Sequence, residues 1–493
     1  MKPCFPLFGL LTAYAPVLAL AQAPVARSKT SISPRTVHAA TKAKTLTTVV
    51  VHGRRENWVG ETISASVGSI DSVDIAARPI ARTGDLLEFV PGLVVTQHSG
   101  SGKANQYFLR GFNLDHGTDF ATFVDGMPVN LRTHAHGQGY SDLNFLIPET
   151  VSELIYRKGT YYADVGDFSS AGSAQIALLD SVPRGQAELT AGSYGYGRVL
   201  VLDSHALGRG QGLYALEGQT YSGPWTQLNE DVGKLSTLLR YSAPLAGGEG
   251  HLSVMAYRNR WNSPDQIPQR AVSEGLIDVF GQLDPSDGGR TSRYSVSASW
   301  SGAAFGGRFE ANAYLIDYRL RLWSDFTYFL ADPVRGDQFE QVDRRRIYGF
   351  DLSQQWDRGR DHWRVGAQGR YDDIGEVGLF HTQRRQVIGT VRDDAVGEGS
   401  IGVFAANEYR FSDAVRGYVG TRYDAYGVFA WTARCRPTAA RPMPASPRTR
   451  RAWSTVRGSR WTSTQAGVAA FTPTTRAAPP SRWIPTPARP RAR

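Results

Sequence analysis

Trp363-Arg364-Val365-Gly366-Ala367-Gln368-Gly369-Arg370-Tyr371 is the stretch that decides the fold. In an extended chain Val365, Ala367, Gly369 and Tyr371 share one face, and Arg364, Gly366, Gln368 and Arg370 take the other. A period of two with one apolar and one polar side is the pattern of a half-buried strand. The same pattern runs through Lys234 to Tyr241, where Leu235, Thr237, Leu239 and Tyr241 fall together, and through Tyr294 to Trp300 and Ala187 to Gly192. About eleven such segments lie between Gly185 and Phe429. Each has ~10 residues or a little more, enough for a tilted strand to cross the hydrocarbon layer. Short turns such as Ser193 to Gly197 alternate with longer stretches at 262–290 and 324–340, rich in Asp, Pro, Gly and Gln.

Aromatic residues recur near the segment ends: Tyr221, Trp225, Trp261, Trp300, Trp323, Trp356 and Trp363. Girdles at two membrane interfaces would produce this spacing. A soluble β-sandwich or propeller would use the same aromatics as core. Long strands without a blade repeat favour a barrel with lipid outside and a polar lumen.

Composition agrees. The 493 residues are 41% hydrophobic, with 52 Gly and 22 Tyr but only 2 Cys. No apolar run after the N-terminus is long enough for a spanning helix. Cys4 and Cys435 sit at opposite ends, so neither a disulfide framework nor a thiolate metal site is expected. The net charge of +10 belongs to the tail. Residues 433–493 hold 13 Arg and no acidic residue, which leaves −3 on the rest of the chain. The body therefore has no nucleic-acid signature.

Residues 1–21 read as a secretory signal: Lys2, an apolar stretch from Phe5 to Leu20, and Ala19-Leu20-Ala21 as the cleavage site. Residues 22–44 read as a flexible arm, and 45–56 as a short β-prone segment around Val49-Val50-Val51-His52. Residues 60–180 mix short strands and helices with many glycines, an α+β domain small enough to fit inside something. Within it Asp85 to Val90 reads as a helical turn closed by Pro91-Gly92, and Asp125-Gly126 as a tight turn. Residues 185–432 carry the barrel strands. Residues 433–493 contain ten Pro and show no recognisable strand. They read as a disordered Arg/Pro-rich tail, better explained by a shifted reading frame than by a basic arm.

Several segments carry a resemblance. They are Thr83-Gly84-Asp85-Leu86-Leu87-Glu88-Phe89-Val90-Pro91-Gly92-Leu93, Phe108-Leu109-Arg110-Gly111-Phe112, Phe123-Val124-Asp125-Gly126-Met127-Pro128-Val129, Ile155-Tyr156-Arg157-Lys158-Gly159 and Ser173-Ala174-Gln175-Ile176. In this order, behind a signal peptide, they resemble the plug of TonB-dependent receptors. The fold expected is a mixed one: an α+β plug followed by an antiparallel membrane β-barrel. The resemblance implies 22 strands, which need on the order of 450 residues after the plug. Gly185 to Phe429 supplies about 245, so about half of the barrel is expected here.

The resemblance also implies location, partner and task. The protein would sit in the outer membrane, in contact with its lipid, as a monomer. It would take up a scarce nutrient, a metal chelate such as a ferric siderophore, with energy delivered by TonB. Val49, Val50, Val51 and His52 resemble the TonB box, and their β-branched character suits pairing as an added strand. Asp115, His116, His134 and His136 are the candidate substrate contacts. In an extended chain His134 and His136 point the same way, which suits a metal or metal chelate. Hydrogen-bonded loop histidines are the plainer alternative, and no firm metal site is assigned. Arg110 and Arg157 are expected to join plug and barrel. No resident cofactor is expected. No Gly-x-Ser-x-Gly, His-Glu-x-x-His, Walker A or Cys-x-x-Cys motif is present, so no enzyme activity is expected. The two rival readings are a truncated, non-transporting receptor product and a secreted hydrolase on a β scaffold.

Overall fold

The structure, a computed structural model, describes residues 66–97, 100–412, 415–432 and 455–462. The expected signal peptide, arm and TonB box lie outside the described residues, as does most of the 433–493 tail.

The first domain is built around a mixed sheet. Its strands are β1 (Val67–Asp71), β2 (Leu93–Thr96), β3 (Gln106–Leu109), β4 (Phe112–Asn113), β5 (Phe120–Val124), β6 (Met127–Pro128), β7 (Val151–Lys158) and β8 (Gly172–Leu178). Five of them lie in the order β1-β7-β8-β5-β6, with β5 and β8 parallel, while β2, β3 and β4 form a separate small sheet. Helix α1 (Ser72–Ala77) starts where the Asp71 carboxylate accepts the N–H groups of Val73 and Asp74. A 3-10 turn over Thr83–Phe89 begins with Asp85 accepting the Arg82 N–H and ends before Gly92, which sits at φ 85°. Leu86, Leu87, Val90, Val124, Met127 and Leu154 make the core of this domain.

The chain then forms one antiparallel sheet of twelve strands, each paired with the next in sequence. Its strands are β9 (Gln186–Ala191), β10 (Gly197–Leu207), β11 (Gly210–Tyr221), β12 (Val232–Leu245), β13 (Gly248–Asn262), β14 (Gly288–Ala304), β15 (Gly307–Ser324), β16 (Phe339–Arg358), β17 (Asp361–Gln383), β18 (Gln386–Arg410), β19 (Arg416–Thr432) and β20 (Thr455–Thr462). Among the described residues β9 and β20 are the two edges. The plug covers one face. On β12 the face carrying Lys234, Ser236, Leu238 and Arg240 is buried, and Leu239 on the other face is half exposed. The two ends of the sheet differ. Two-residue turns at one end place Ala246-Gly247 and Phe305-Gly306 at positive φ, as tight hairpins require. Longer connections at 222–231, 263–287 and 325–338 mark the other end. Short turns inside and long loops outside is the polarity of outer-membrane barrels.

Three expectations need correction. The tail is not free of strand: Thr455–Thr462 pairs with β19. It falls in the longest proline-free run of the tail, between Pro447 and Pro473, so no missing N–H interrupts its ladder. The strands also outgrow ~10 residues, with β17 reaching 23 and β18 reaching 25. Trp261 and Trp323 stand at the long-loop end but are buried, at 2% and 6% exposure, and are not girdle residues. Trp261 turns inward onto the plug. A Cβ on Gly102 would stand 1.9 Å from its ring, so only glycine permits this approach.

Candidate functional site

The plug loop after β6 folds around one buried amide. Asn130 Oδ1 accepts the Thr122 N–H at 2.7 Å, and its Nδ2 donates to the carbonyls of Gly117 at 2.8 Å and Phe120 at 3.0 Å. Gly117 and Gly139 meet here at φ 123° and 75°. A Cβ on either would strike the other turn at 2.7 Å. This clasp brings His116 and the 131–140 loop together beside the wall strands, close to the long-loop end.

The three histidines converge, but not as an extended chain would arrange them. The backbone bends at 132–136, so the His136 N–H donates to His134 Nδ1 at 3.2 Å. Both rings lie against Tyr140, His134 at 4.1 Å and His136 at 5.8 Å, but from a bent chain and not an extended one. His134 stacks on Tyr140 at 4.1 Å, faces the Tyr318 hydroxyl at 3.3 Å, and has no exposed side-chain surface. It cannot touch a ligand in this arrangement. Burial, with Arg345 and the other two histidines adding to it, holds His134 well below the usual imidazole range. Among the described residues no group of three or more His, Cys, Asp or Glu is arranged to hold a metal ion.

His116 and His136 meet edge to edge, Nε2 to Nε2, at 3.1 Å. Gln341 Nε2 donates to the Ala135 carbonyl at 2.7 Å, which turns its Oε1 toward His136 Nδ1 at 2.8 Å. His136 Nδ1 therefore donates. His116 Nδ1 faces the Asn105 carbonyl at 3.0 Å and must also donate. The Nε2 contact is then a hydrogen bond only when one ring carries a second proton. Burial and the nearby Lys103 push His116 down against this, while Asp115, 3.7 Å from its Nε2, pulls it up. Asp115, about half exposed, is the open edge of the cluster.

One residue here escaped the sequence reading. Lys103 is 3% exposed, and its ammonium has no hydrogen-bond partner among the described residues. Burial lowers it to about 8, against the pull of Asp265 and Asp115. In sequence it is one lysine in a glycine-rich run, Gly100-Ser101-Gly102-Lys103, with nothing to mark it as buried.

The seam between plug and wall carries a run of ion pairs beside an apolar cluster in which Tyr140, Phe145 and Leu146 of the plug join Leu238, Met255 and Ile316 of the wall. Arg198 forks onto Glu149 with two contacts of 2.8 Å and also reaches Glu217 at 2.7 Å. Arg240 binds Asp125 and Asp180, so the expected Asp125-Gly126 turn also anchors the plug. Arg345, fully buried between Asp343 and Asp372, donates to the Thr133 carbonyl, and Thr133 Oγ1 donates to Glu398 at 2.9 Å. Arg370 donates to the Asn130 carbonyl at 2.8 Å. Asp164 is held by Arg157 of the plug at 2.8 Å and by Arg364 of the wall at 2.7 Å. Arg157 thus reaches the wall through Asp164. Arg110 does not: it is exposed, at φ 53°, with its N–H on the Gly92 carbonyl. A cavity of about 1370 Å³ runs beside this seam, between the plug and β9 to β13. Its lining extends from Pro183 through Arg198 and Lys234 to Asp265 in the long loop. Val49, Val50, Val51 and His52 lie outside the described residues.

The comparisons fit this geometry. A family model described as TonB-dependent Receptor Plug Domain matches residues 60–173. The solved structure titled copper transporter OprC aligns with a TM-score of 0.59 and 14% identity, over 81% of this chain and 59% of that one. The ferric citrate transporter FecA aligns with a TM-score of 0.61 and 14% identity, over 74% and 57%. The siderophore receptor PirA from Acinetobacter baumannii aligns with a TM-score of 0.54 and 15% identity, over 76% and 59%. This chain spans less than two thirds of the length of each. Residues 60–173 are thus a TonB-dependent receptor plug domain, and the chain has the plug-and-barrel fold of the TonB-dependent receptors of the outer membrane.

Proposed function

We propose that this chain is an outer-membrane receptor for TonB-energised uptake of a scarce nutrient, with a metal chelate such as a ferric siderophore as cargo. The observation that carries the reading is the seam. Apolar contact with the wall is only part of what holds the plug: Arg198, Arg240, Arg345, Arg364 and Arg370 bind it as well, and these are groups that water can take over when it moves. The cavity along the seam gives a displaced plug somewhere to open. Asp115 and the His116–His136 pair are the proposed cargo contacts on the plug, with the buried Lys103 charge behind them. Val49 to His52 would pair with TonB as an added strand. The titles of OprC, FecA and PirA name copper, ferric citrate and siderophore as what those proteins handle, and call them transporters or a receptor.

A non-transporting product is the second reading. It is favoured by the unpaired edges of the twelve-stranded sheet among the described residues, since open backbone edges are costly in lipid. Growth tests separate the two. A strain lacking the gene is supplied with this chain and given iron or copper only as defined chelates. Growth on at least one chelate, lost in Val50→Pro, supports TonB-coupled uptake. No growth on any chelate, with the protein present in the outer membrane, refutes it.

A further inference from the structure

The outward face of the sheet changes character at one level. Below that level its exposed side chains are apolar: Val254 on β13, Tyr294 and Val296 on β14, Leu315 on β15, Phe350 and Leu352 on β16. Toward the long loops the same face turns basic. Arg260, Arg290 and Arg321 stand directly opposite one another across β13, β14 and β15. One step nearer the apolar band, Arg319 stands opposite Arg344. Arg258 and Arg346 flank the two rows on the same face, and Arg260, Arg319, Arg344 and Arg346 are each more than half exposed.

Like charges directly opposite on neighbouring strands repel, so such rows are not there to hold the sheet together. The acidic residues nearby do not neutralise them. Asp317 serves both Arg319 and Arg346, Glu340 serves Arg321, Glu376 is 3.7 Å from Arg344, and Asp231 is 3.6 Å from Arg260. Asp373 stands opposite Arg346 on the same face, so seven guanidinium groups face five carboxylates. Among the described residues Arg258 has no acidic partner within ion-pair distance, and Arg290 rests on the Trp323 ring at 5.7 Å. These strands are in the middle of the sheet, away from both edges, so the belt does not depend on what pairs with β9 or β20. A depression of about 1130 Å³ on this face is lined by the arginines at one end and by Leu189, Val199 and Leu235 at the other.

We propose that this belt binds the phosphate groups of a phosphorylated glycolipid of the lipid A type, with its acyl chains on the apolar band below. The proposal rests on the outer-membrane placement of the sheet. Guanidinium forks match phosphate oxygens two at a time, and a bisphosphorylated headgroup carries the charge that the rows lack. The rows lie where the apolar band ends on the long-loop side, which is the level of the outer-leaflet headgroups.

The full chain is reconstituted into phosphatidylcholine vesicles doped with bisphosphoryl lipid A, monophosphoryl lipid A, dephosphorylated lipid A or phosphatidylglycerol, and the lipid retained after solubilisation is counted by native mass spectrometry. The expected result is retention of bisphosphoryl lipid A at least tenfold above the dephosphorylated form, with the monophosphoryl form between them. Retention should fall steeply with salt. The triple variant Arg260→Gln, Arg290→Gln, Arg321→Gln loses it, and the corresponding triple Lys variant keeps most of it, which separates loss of charge from loss of fold. Equal retention of phosphorylated and dephosphorylated forms, or an unchanged Gln variant, overturns the proposal alone. Phosphatidylglycerol retained as well as bisphosphoryl lipid A reduces the belt to general anion attraction and also overturns it. Failure to enter any vesicle overturns the membrane placement as well.

Discussion

Replacing Asp164 by Asn removes the anion on which Arg157 of the plug and Arg364 of the wall both close. Burial alone would raise this carboxyl. The two arginines outweigh it and bring Asp164 from 3.8 down to about 2. At ~1.4 kcal/mol per tenfold change, that difference is worth about 2 kcal/mol of stability. The variant also leaves two guanidinium groups facing each other across the seam, and breaking one side of a buried pair costs roughly 3–5 kcal/mol. The expected loss in Asp164→Asn therefore lies between about 2 and 5 kcal/mol. Because the folded value is depressed, the contribution is complete above pH 3.8 and disappears as the pH falls through about 2. The assay is a urea titration of plug release, followed by trypsin cleavage within the plug, at pH 7 and at pH 2.5 after return to neutral buffer. Asp164→Asn should shift the midpoint strongly at pH 7 and weakly at pH 2.5. A double variant with Arg364→Gln should recover some of the loss. A variant as stable as the parent at pH 7, or a loss of equal size at both pH values, would refute the reasoning.

Two other outcomes follow from the same geometry. Gly102→Val places branched carbons where the Trp261 ring already stands, so the plug should seat loosely and be cut by trypsin at lower urea. The indole emission of Trp261 should shift to the red, and an unchanged spectrum would contradict the contact. For the His116–His136 pair, ¹⁵N spectra of the protein in detergent should show one ring gaining a second proton on acidification from pH 8 to pH 5, and His116→Gln should abolish that uptake. Two neutral rings throughout would mean that the Nε2 contact is not the shared-proton bond that its donors require.

The alternation in Trp363 to Tyr371 and Lys234 to Tyr241 was legible because period two is a local property, and both stretches lie in strands with the expected faces. The long connections at 263–287 and 325–338 were legible for the same reason, as runs without alternation. The upper halves of β17 and β18 were not, because their tight turn at Arg384-Arg385 adopts positive φ without a glycine to announce it. Of the site, the histidines were visible as residues but not as a pair. His116 and His136 are brought together by Asn130 and two glycine turns, and no spacing rule encodes that clasp. The seam was the least legible. Arg364 meets Asp164 from 200 positions away, and Arg345 meets Thr133 from 212. Such partners are chosen by the curvature of the wall. The inward turn of Trp261 was hidden for a related reason: its destination is a pair of glycines, which leave no side chain to signal an approach.

Among the described residues strand β1 lies at the rim of the plug sheet and pairs with β7 alone, in antiparallel register from Val67–Arg157 to Asp71–Glu153. A pull across the strands, applied at Val67, opens this ladder rung by rung like a zip, and its peak force is set by the strongest single rung. A pull along the strand loads all the rungs together, and the force is their sum. The direction of the load, more than its size, therefore decides how easily this edge strand leaves the plug sheet.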